Sequence, residues 1–176
     1  MSGAPSKFRI DYVEAALIAL LKSTMPAAYA TSLNQQNPVG VDIAGLGDGD
    51  FDADGQLVLQ PPSIRVRFGS ANYSNLRDNQ RLSYETGMPF AILCFESSLR
   101  SKVDERKQTL VLVATLQNQL AGARLALADG TSSGPITMKG VQLVIPDSGP
   151  VDQLFAIHVE VPGIAQFDGP NARFGS

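Results

Sequence analysis

Apolar residues recur at helical spacing near the N-terminus of the chain and predict its first helix. They would share one face of that helix: Val13, Ala16, Leu17, Leu20 and Leu21. Asp11, followed three residues later by Glu14, is typical of a capping box, so we predict that the helix begins at Asp11. Pro26 is expected to end it, because proline lacks the N–H that continues a helix.

A second helix is predicted over the apolar run that follows Ser101. Its middle, residues 109–116, is rich in β-branched residues and on propensity alone suits a strand as well. The run continues to Leu120, too far for most strands, and Ser101 with Asp104 supplies a cap and an acidic first turn. Gly122 then stands where a helix commonly ends, so we predict a helix.

Four segments carry strand patterns. Residues 63–68 alternate polar and apolar side chains, whereas residues 89–95 are almost continuously apolar, as in a strand covered on both faces. Residues 136–145 and 155–161 alternate as well. They predict a closing hairpin whose inner face packs on the helices, with a bulge at Gly140 where the alternation slips.

Polar segments separate these elements. Residues 30–62 are rich in Asn, Gln, Gly, Asp and Pro, which is typical of a long loop. Short strands within it are expected at residues 40–43 and 56–60. A second polar stretch, residues 70–87, is predicted as a loop on the surface.

Together the elements predict one α+β domain over residues 1–176. We expect a mixed, mostly antiparallel sheet packed against two main helices, with long polar loops. Residues 1–8 and 163–176 are expected to be flexible ends. A chain of 176 residues can bury one core without disulfides or metals. The single cysteine, Cys94, lies in an apolar run that predicts a buried thiol.

The charge balance is mildly acidic, with a net charge of −3. It argues against broad electrostatic binding to nucleic acid or to an anionic membrane. No stretch approaches the roughly 20 apolar residues that span a bilayer, and the N-terminus lacks an apolar signal segment. We therefore expect a protein made in the cytoplasm.

The sharpest local motif is DFDADG at residues 50–55, which matches the first half of an EF-hand calcium loop. Asp50, Asp52 and Asp54 are therefore candidate metal ligands. Pro61, however, occupies the position where a bidentate glutamate closes such a site, and no amphipathic helix flanks the motif. A solvated acidic loop is favoured, and no cofactor is predicted.

Other candidate chemistry is sparse. His158 is the only histidine, at an outward position of a predicted strand and without a nucleophile motif nearby, so a surface histidine is favoured. The glycines of residues 45–49 do not have the dinucleotide-binding spacing, and the aspartates beside them would repel phosphate. These features predict a protein that is not an enzyme.

Positive charges offer two interpretations, a solvated surface or a subunit contact. One group lies at the start of the second predicted helix and another on the polar face of a predicted strand. The candidates for a subunit contact are Arg100, Lys102, Arg106 and Lys107 in the first group, and Arg65 and Arg67 in the second.

Five segments carry a resemblance to a known family. They are DYVEAALIALLKS (11–23), PSIRVRF (62–68), FAILCFESSLRSKVDERKQTLVLVATLQNQL (90–120), and ITMKGVQLVIP with LFAIHVEVP (136–146 and 154–162). In the order of its elements and in their pattern of apolar and polar residues, the chain resembles the small Mu-like phage tail proteins that act as tail terminators. The acidic motif at residues 50–55 has no counterpart that we can place in that pattern.

The resemblance implies a structural protein of the virion. Six copies would form a ring at the head-proximal end of a contractile tail, stop polymerisation of tube and sheath, and provide the docking surface for the head connector. The implied partners are further copies of the chain, the tube and sheath proteins and the connector. DNA would only pass through the channel, and no membrane is involved. The protein would reside in the host cytoplasm during assembly and then in the virion.

Three alternatives remain open from the sequence. A neck or head–tail joining protein of the same general fold would differ in its neighbours. A calcium-dependent binding module would use Asp50, Asp52 and Asp54. A small hydrolase would have to be centred on His158.

Overall fold

The computed structural model describes residues 6–78, 82–96, 102–144 and 154–167. Within them the chain forms two long helices and six strands. The elements, in order, are α1 (Ile10–Ser32), β1 (Asp42–Gly45), a 3-10 turn (Asp48–Asp50), β2 (Ser63–Phe68), β3 (Asn72–Asp78), β4 (Ser83–Phe95), α2 (Lys102–Leu120), β5 (Thr137–Val144) and β6 (Leu154–Gln166). The predicted α+β class is confirmed.

The strands form one mixed sheet in the order β1-β2-β4-β6-β5, with β3 beside the first half of β4. Only β1 and β2 are parallel; the other described pairs are antiparallel. Pro89 lies where the neighbour of β4 changes from β3 to β2. Its carbonyl accepts a hydrogen bond from Gly69 N at 2.9 Å. In an antiparallel strand the N–H and C=O of one residue point to the same side. The carbonyl of Pro89 points away from β6, so the missing N–H of Pro89 removes no hydrogen bond to β6.

Both helices pack on one face of the sheet. Helix α1 contacts β1 and β2, and α2 contacts β4 and β6. The largest fully buried side chains between helices and sheet include Leu17, Leu21, Met25, Ile64, Phe90, Ile92, Leu112 and Leu116. Packed helices lie about 8–10 Å apart and strands about 4.8 Å apart, so two helices cover about four strands. Strand β5 lies beyond them and is exposed or half-buried along its whole length.

The start and end of α1 differ from the prediction. The helix begins at Ile10 after Arg9, without a side-chain cap, and Asp11 instead pairs with Arg9 at 2.7 Å. Pro26 lies inside the helix, which continues to Ser32. The further turns bury Tyr29, whose hydroxyl donates to Glu96 at 2.6 Å, so tertiary contacts compensate for the backbone bond that proline removes.

Several local predictions are confirmed. Residues 109–116 are helical, and α2 ends before Gly122, which has a φ of +74° that glycine adopts without strain. Strand β2 covers residues 63–68 as predicted. β5 and β6 pair antiparallel, and their register shifts between Met138 and Gly140, as expected for a bulge. Neither helix in the described part of the chain is long and apolar enough to cross a membrane.

The predicted loops contain more regular structure than expected. In residues 30–62, α1 takes the first positions, β1 forms at 42–45 instead of 40–43, and residues 56–60 form no strand. Residues 70–87 contain β3 and the start of β4. Cross-strand bonding satisfies polar strands such as β3, so periodicity alone does not reveal them.

Parts of the expected flexible ends belong to the fold. Phe8 is buried, and its ring packs where a side chain on Gly163 would lie, so the glycine gives the ring room. Phe8 N donates to Asp129 Oδ2 at 2.8 Å, and Lys7 pairs with Gln166. β6 therefore continues through residues 163–166, and these positions belong to the sheet.

Candidate subunit interface

Arg65 of β2, a candidate for either a solvated side chain or a subunit contact, is buried. Its Nε lies 2.7 Å from Asp50 Oδ1 and its Nη2 lies 2.6 Å from Asp42 Oδ2. Its Nη1 donates to the carbonyl of Asp42 at 2.9 Å. Burial works against the charge, but the hydrogen bonds to Asp42 and Asp50 raise the pKa of Arg65 above its ordinary value. Arg65 therefore ties β1 and the following loop to β2.

The acidic motif folds into a small turn, which we call the acidic hairpin (residues 50–58). Asp52 N donates to the carbonyl of Gln56 at 2.9 Å, and Val58 N donates to the carbonyl of Asp50 at 2.7 Å. Asp52 Oδ1 accepts the amides of Asp54 and Gln56, both at 2.9 Å. Gly55 has a φ of +75°, which suits glycine at the turn.

Two of the three carboxylates of the motif are thus engaged within the fold. Asp50 faces Arg65 and accepts the amide of Gly47, and Asp52 binds its own backbone. No group of three or more acidic, histidine or cysteine side chains in the described residues is placed to hold a metal ion. Within the motif, Asp52 stabilises the local turn through hydrogen bonds between its side chain and the backbone.

The acidic hairpin presents apolar side chains to solvent. Phe51 is 42% exposed and Val58 is 45% exposed. Its base is fixed, because Asp50 is anchored on Arg65 and Leu59 is buried in a small cluster with Phe95 and Leu154. A rigidly held turn with exposed apolar side chains is suited to contact with another molecule.

The edge strand β5 is the second apolar surface. Val141 and Leu143 are 42% and 44% exposed, and they pair with Ile157 and Phe155 on the side of the sheet that carries the helices. They would belong to the core if a helix covered β5. A long edge strand with apolar side chains is a site at which another chain can pair or pack.

A third surface lies beside the N-terminus of α1. Tyr73 and Phe167 pack edge to face with ring centroids 5.1 Å apart, and Tyr84 lies within 6.4 Å of Tyr73. The rings of Tyr73 and Phe167 border a cleft that Phe8 and Ile10 also line. Partly exposed aromatic side chains are enriched at protein interfaces.

The other predicted contact residues separate into two groups. Arg67 and Lys107 are exposed, as a subunit contact requires. Arg100 and the side chains of Lys102 and Arg106 lie outside the part of the chain that the structure describes. The grouping of charges at the start of α2 stays a prediction.

His158 and Cys94 are embedded in the sheet. His158 is half-buried, between Ala91 and Gly140 of the neighbouring strands, and neither of these carries a group that could act with it in catalysis. Cys94 is fully buried, and burial raises the pKa of its thiol to about 12. The thiol donates to the carbonyl of Phe155 at 3.4 Å, so it is a core group, as predicted.

Sequence reasoning missed the apolar surfaces of the acidic hairpin and of β5. Val141 and Leu143 lie on the predicted face of the closing hairpin, but the expectation that this face packs on the helices was wrong for them, because both stay exposed. The number of predicted elements already indicates an uncovered strand, because two helices cannot cover every strand of a wide sheet. Phe51 and Val58 lie in a segment whose polar composition predicts only a loop.

Comparisons with known proteins yield a structural likeness. No protein-family model and no curated protein matches the chain. Among solved structures, a chain from the virion of a native gene transfer agent particle matches 92% of this chain and 99% of that chain. The TM-score is 0.50 and the sequence identity is 11%, so the likeness concerns the fold.

Proposed function

We propose that this protein is a structural subunit of a phage-like virion. The observation that carries the proposal is the fold likeness, which spans nearly the whole of both chains, to a component of a gene transfer agent virion. The exposed apolar side chains of the acidic hairpin and of β5 support it, because both surfaces suit contacts between subunits. A role as scaffold and not as enzyme accords with the engagement of the Asp50 and Asp52 carboxylates within the fold.

The specific role we propose is that of a tail terminator. Six copies would form a ring at the head-proximal end of a contractile tail, end the growth of tube and sheath, and offer a surface to the head connector. A closed ring requires that one patch of each subunit meets a different patch on the next. The chain has apolar patches on different elements, the acidic hairpin and β5, which is the arrangement that such a ring needs.

Electron microscopy tests the proposal directly. The purified protein is imaged alone, with tail tubes, and with the head connector of the same particle. We expect sixfold rings that cap tubes at one end and stop their elongation. Rings that bind the connector but never a tube would instead indicate a head–tail joining protein. A protein that binds neither tubes nor connectors would contradict a role in the virion.

A further inference from the structure

We propose that copies of this chain exchange their N-terminal arms (residues 6–9), so that Phe8 of one copy fills the niche over Gly163 of the next. The inference rests on the proposed function and names a contact that would link neighbouring subunits. The arm itself identifies a second copy as the occupant. The niche already holds this arm within one chain, and an identical arm from a neighbour makes the same contacts.

The niche is shaped for Phe8. A Cβ atom on Gly163 would overlap the phenyl ring, so the ring fills the space that a side chain at that position would need. Phe8 is 1% exposed, although it lies only two residues before the start of α1. Lys7 beside it exchanges backbone hydrogen bonds with Gln166 at 2.9 and 3.2 Å, which fixes the register of the arm on β6. A partner of different sequence would have to displace this fitted arm, whereas a second copy brings the same side chains.

Asp129 receives the arm beside the niche. Its Oδ1 accepts the amide of Thr131 at 2.9 Å and the hydroxyl of Thr131 at 2.5 Å, and its Oδ2 accepts the amide of Phe8 at 2.8 Å. Burial acts to raise the pKa of Asp129, but the hydrogen bonds from Thr131 and Phe8 and the charge of Lys7 lower it below its ordinary value. The carboxylate is therefore ionised at neutral pH and binds the arm whichever copy supplies it.

The arm joins α1 through a strained hinge. Phe8 has a φ of +54°, a left-handed conformation that is unfavourable for a residue with a bulky side chain. Arg9 is extended and Ile10 already begins α1, so the change of direction between arm and helix falls on two residues. A short strained hinge favours exchange, because an arm that docks on a neighbour need not turn back on its own chain.

Exposed aromatic side chains lie where the second copy would have to be. Tyr73 is 41% exposed and Phe167 is 36% exposed, and both line the cleft beside Phe8. Two hinge residues span about 7 Å when fully extended, so two copies that share an arm must touch close to this cleft. Burial of the two rings by the neighbouring copy would add apolar contact area to that of the arm.

The number of nearby copies decides which form of the arm prevails. Within one chain, the short hinge gives the arm a high effective concentration at its own niche, on the order of millimolar. The closed arm is therefore expected in dilute protein. At the end of a tail tube the copies stand side by side, and relief of the hinge together with burial of the cleft then favours exchange. Transfer in one direction from copy to copy would close a ring.

A disulfide between the arm and β6 reports which copy supplies the arm. Lys7→Cys combined with Gln166→Cys places thiols on directly paired residues, where a Cα separation of about 5.5 Å permits a disulfide. Cys94→Ala removes the natural thiol. Arg67→Cys with Ala91→Cys in the same background is the matched control, because these residues pair between β2 and β4. Each protein is oxidised either in dilute solution or after assembly on tail tubes, and the products are separated on a denaturing, non-reducing gel.

Exchange predicts that assembly changes the product of oxidation. In dilute protein the arm pair should give single chains that are linked internally. In rings it should give covalent dimers and longer ladders, with at least about tenfold more interchain product than in dilute protein. The control pair should give internally linked single chains in both states. Rings that contain only internally linked chains would overturn the proposal.

The same disulfide also locks the arm. Arm-pair protein that is oxidised in dilute solution cannot release its arm, so it should cap tubes at least about tenfold less well than the reduced protein, and reduction should restore capping. Equal capping by both forms would overturn the proposal. If circular dichroism or melting shows that the arm pair disturbs the fold, Ser6→Cys with Phe167→Cys replaces it, since both residues line the same cleft at the next position of that pairing.

The results separate the exchange from the proposed function. Rings that cap tubes with every arm closed would overturn the exchange and leave the role of tail terminator standing. Interchain disulfides in a protein that binds neither tubes nor connectors would support the exchange and contradict a role in the virion. A protein that neither forms rings nor opens its arms, in free solution or with tubes, would overturn both.

Discussion

The two ends of the sheet differ in what covers them. At the first end, α1 packs over β1 and β2, Ile43 is 5% exposed, and Arg65 is buried with Asp50. At the other end, β5 also has apolar side chains on the face that carries the helices. Leu143 on that face is nevertheless 44% exposed. Apolar residues on a strand thus become core or surface according to whether a helix lies above them.

The two ends of the sheet therefore contribute differently to the protein. The covered end gains stability from burial and ion pairing, and it fixes the base of the acidic hairpin. The uncovered end gains little from its apolar residues within one chain, so their burial is available to a partner. The following substitutions probe that division, beginning with the largest expected effect.

Removing the buried cation should damage the covered end most. Arg65→Met leaves the buried carboxylate of Asp50 without its counter-charge, and breaking such a pair costs about 3–5 kcal/mol of unfolding free energy. Arg67→Met is the matched control, because Arg67 is exposed on the same strand, and its effect should stay within about 0.5 kcal/mol. Urea denaturation measures both, and equal losses would contradict the structural role of Arg65.

Truncating one apolar side chain at each end compares the two directly. Ile43→Ala should lower the free energy of unfolding by about 2–4 kcal/mol, since the side chain is buried under α1. Leu143→Ala removes a side chain of the same size and should cost less than about 1 kcal/mol. Thermal unfolding of both variants at low protein concentration checks this. A large loss for Leu143→Ala would mean that β5 is covered in the monomer.

The thiol of Cys94 reports on the strands between the two ends. Its burial and its pKa of about 12 should keep it unreactive toward a thiol reagent at pH 8 while the chain is folded. Labelling should then require opening of the sheet. Arg65→Met should therefore accelerate labelling, whereas Leu143→Ala should leave the rate nearly unchanged. Rapid labelling of the folded wild type would contradict the burial of Cys94.

Predictions from the sequence succeeded where a local pattern decides the outcome. The helix over residues 109–116, the strand at 63–68, the bulge near Gly140 and the buried Cys94 all depend on spacing and on neighbouring residues. They failed where a distant residue decides. Pro26 does not end α1, because the next turns bury Tyr29 against the rest of the fold.

The candidate site shows the same limit. Arg65 and Arg67 occupy equivalent alternating positions of the same strand, but among the residues that the structure describes only Arg65 meets two carboxylates. Asp50, Asp52 and Asp54 have the spacing of a calcium loop. Two of these three carboxylates are already engaged, Asp50 by Arg65 and Asp52 by the local backbone.

The amino-acid sequence by itself determined which side chains share a face of each helix and strand, since periodicity and turn residues act over a few positions. The tertiary structure alone decided which faces are covered. Two helices span fewer strands than the sheet contains, so β5 remained open, and the turn after β1 was brought onto Arg65. Coverage depends on how elements far apart in the chain pack together, and a local pattern does not contain that information.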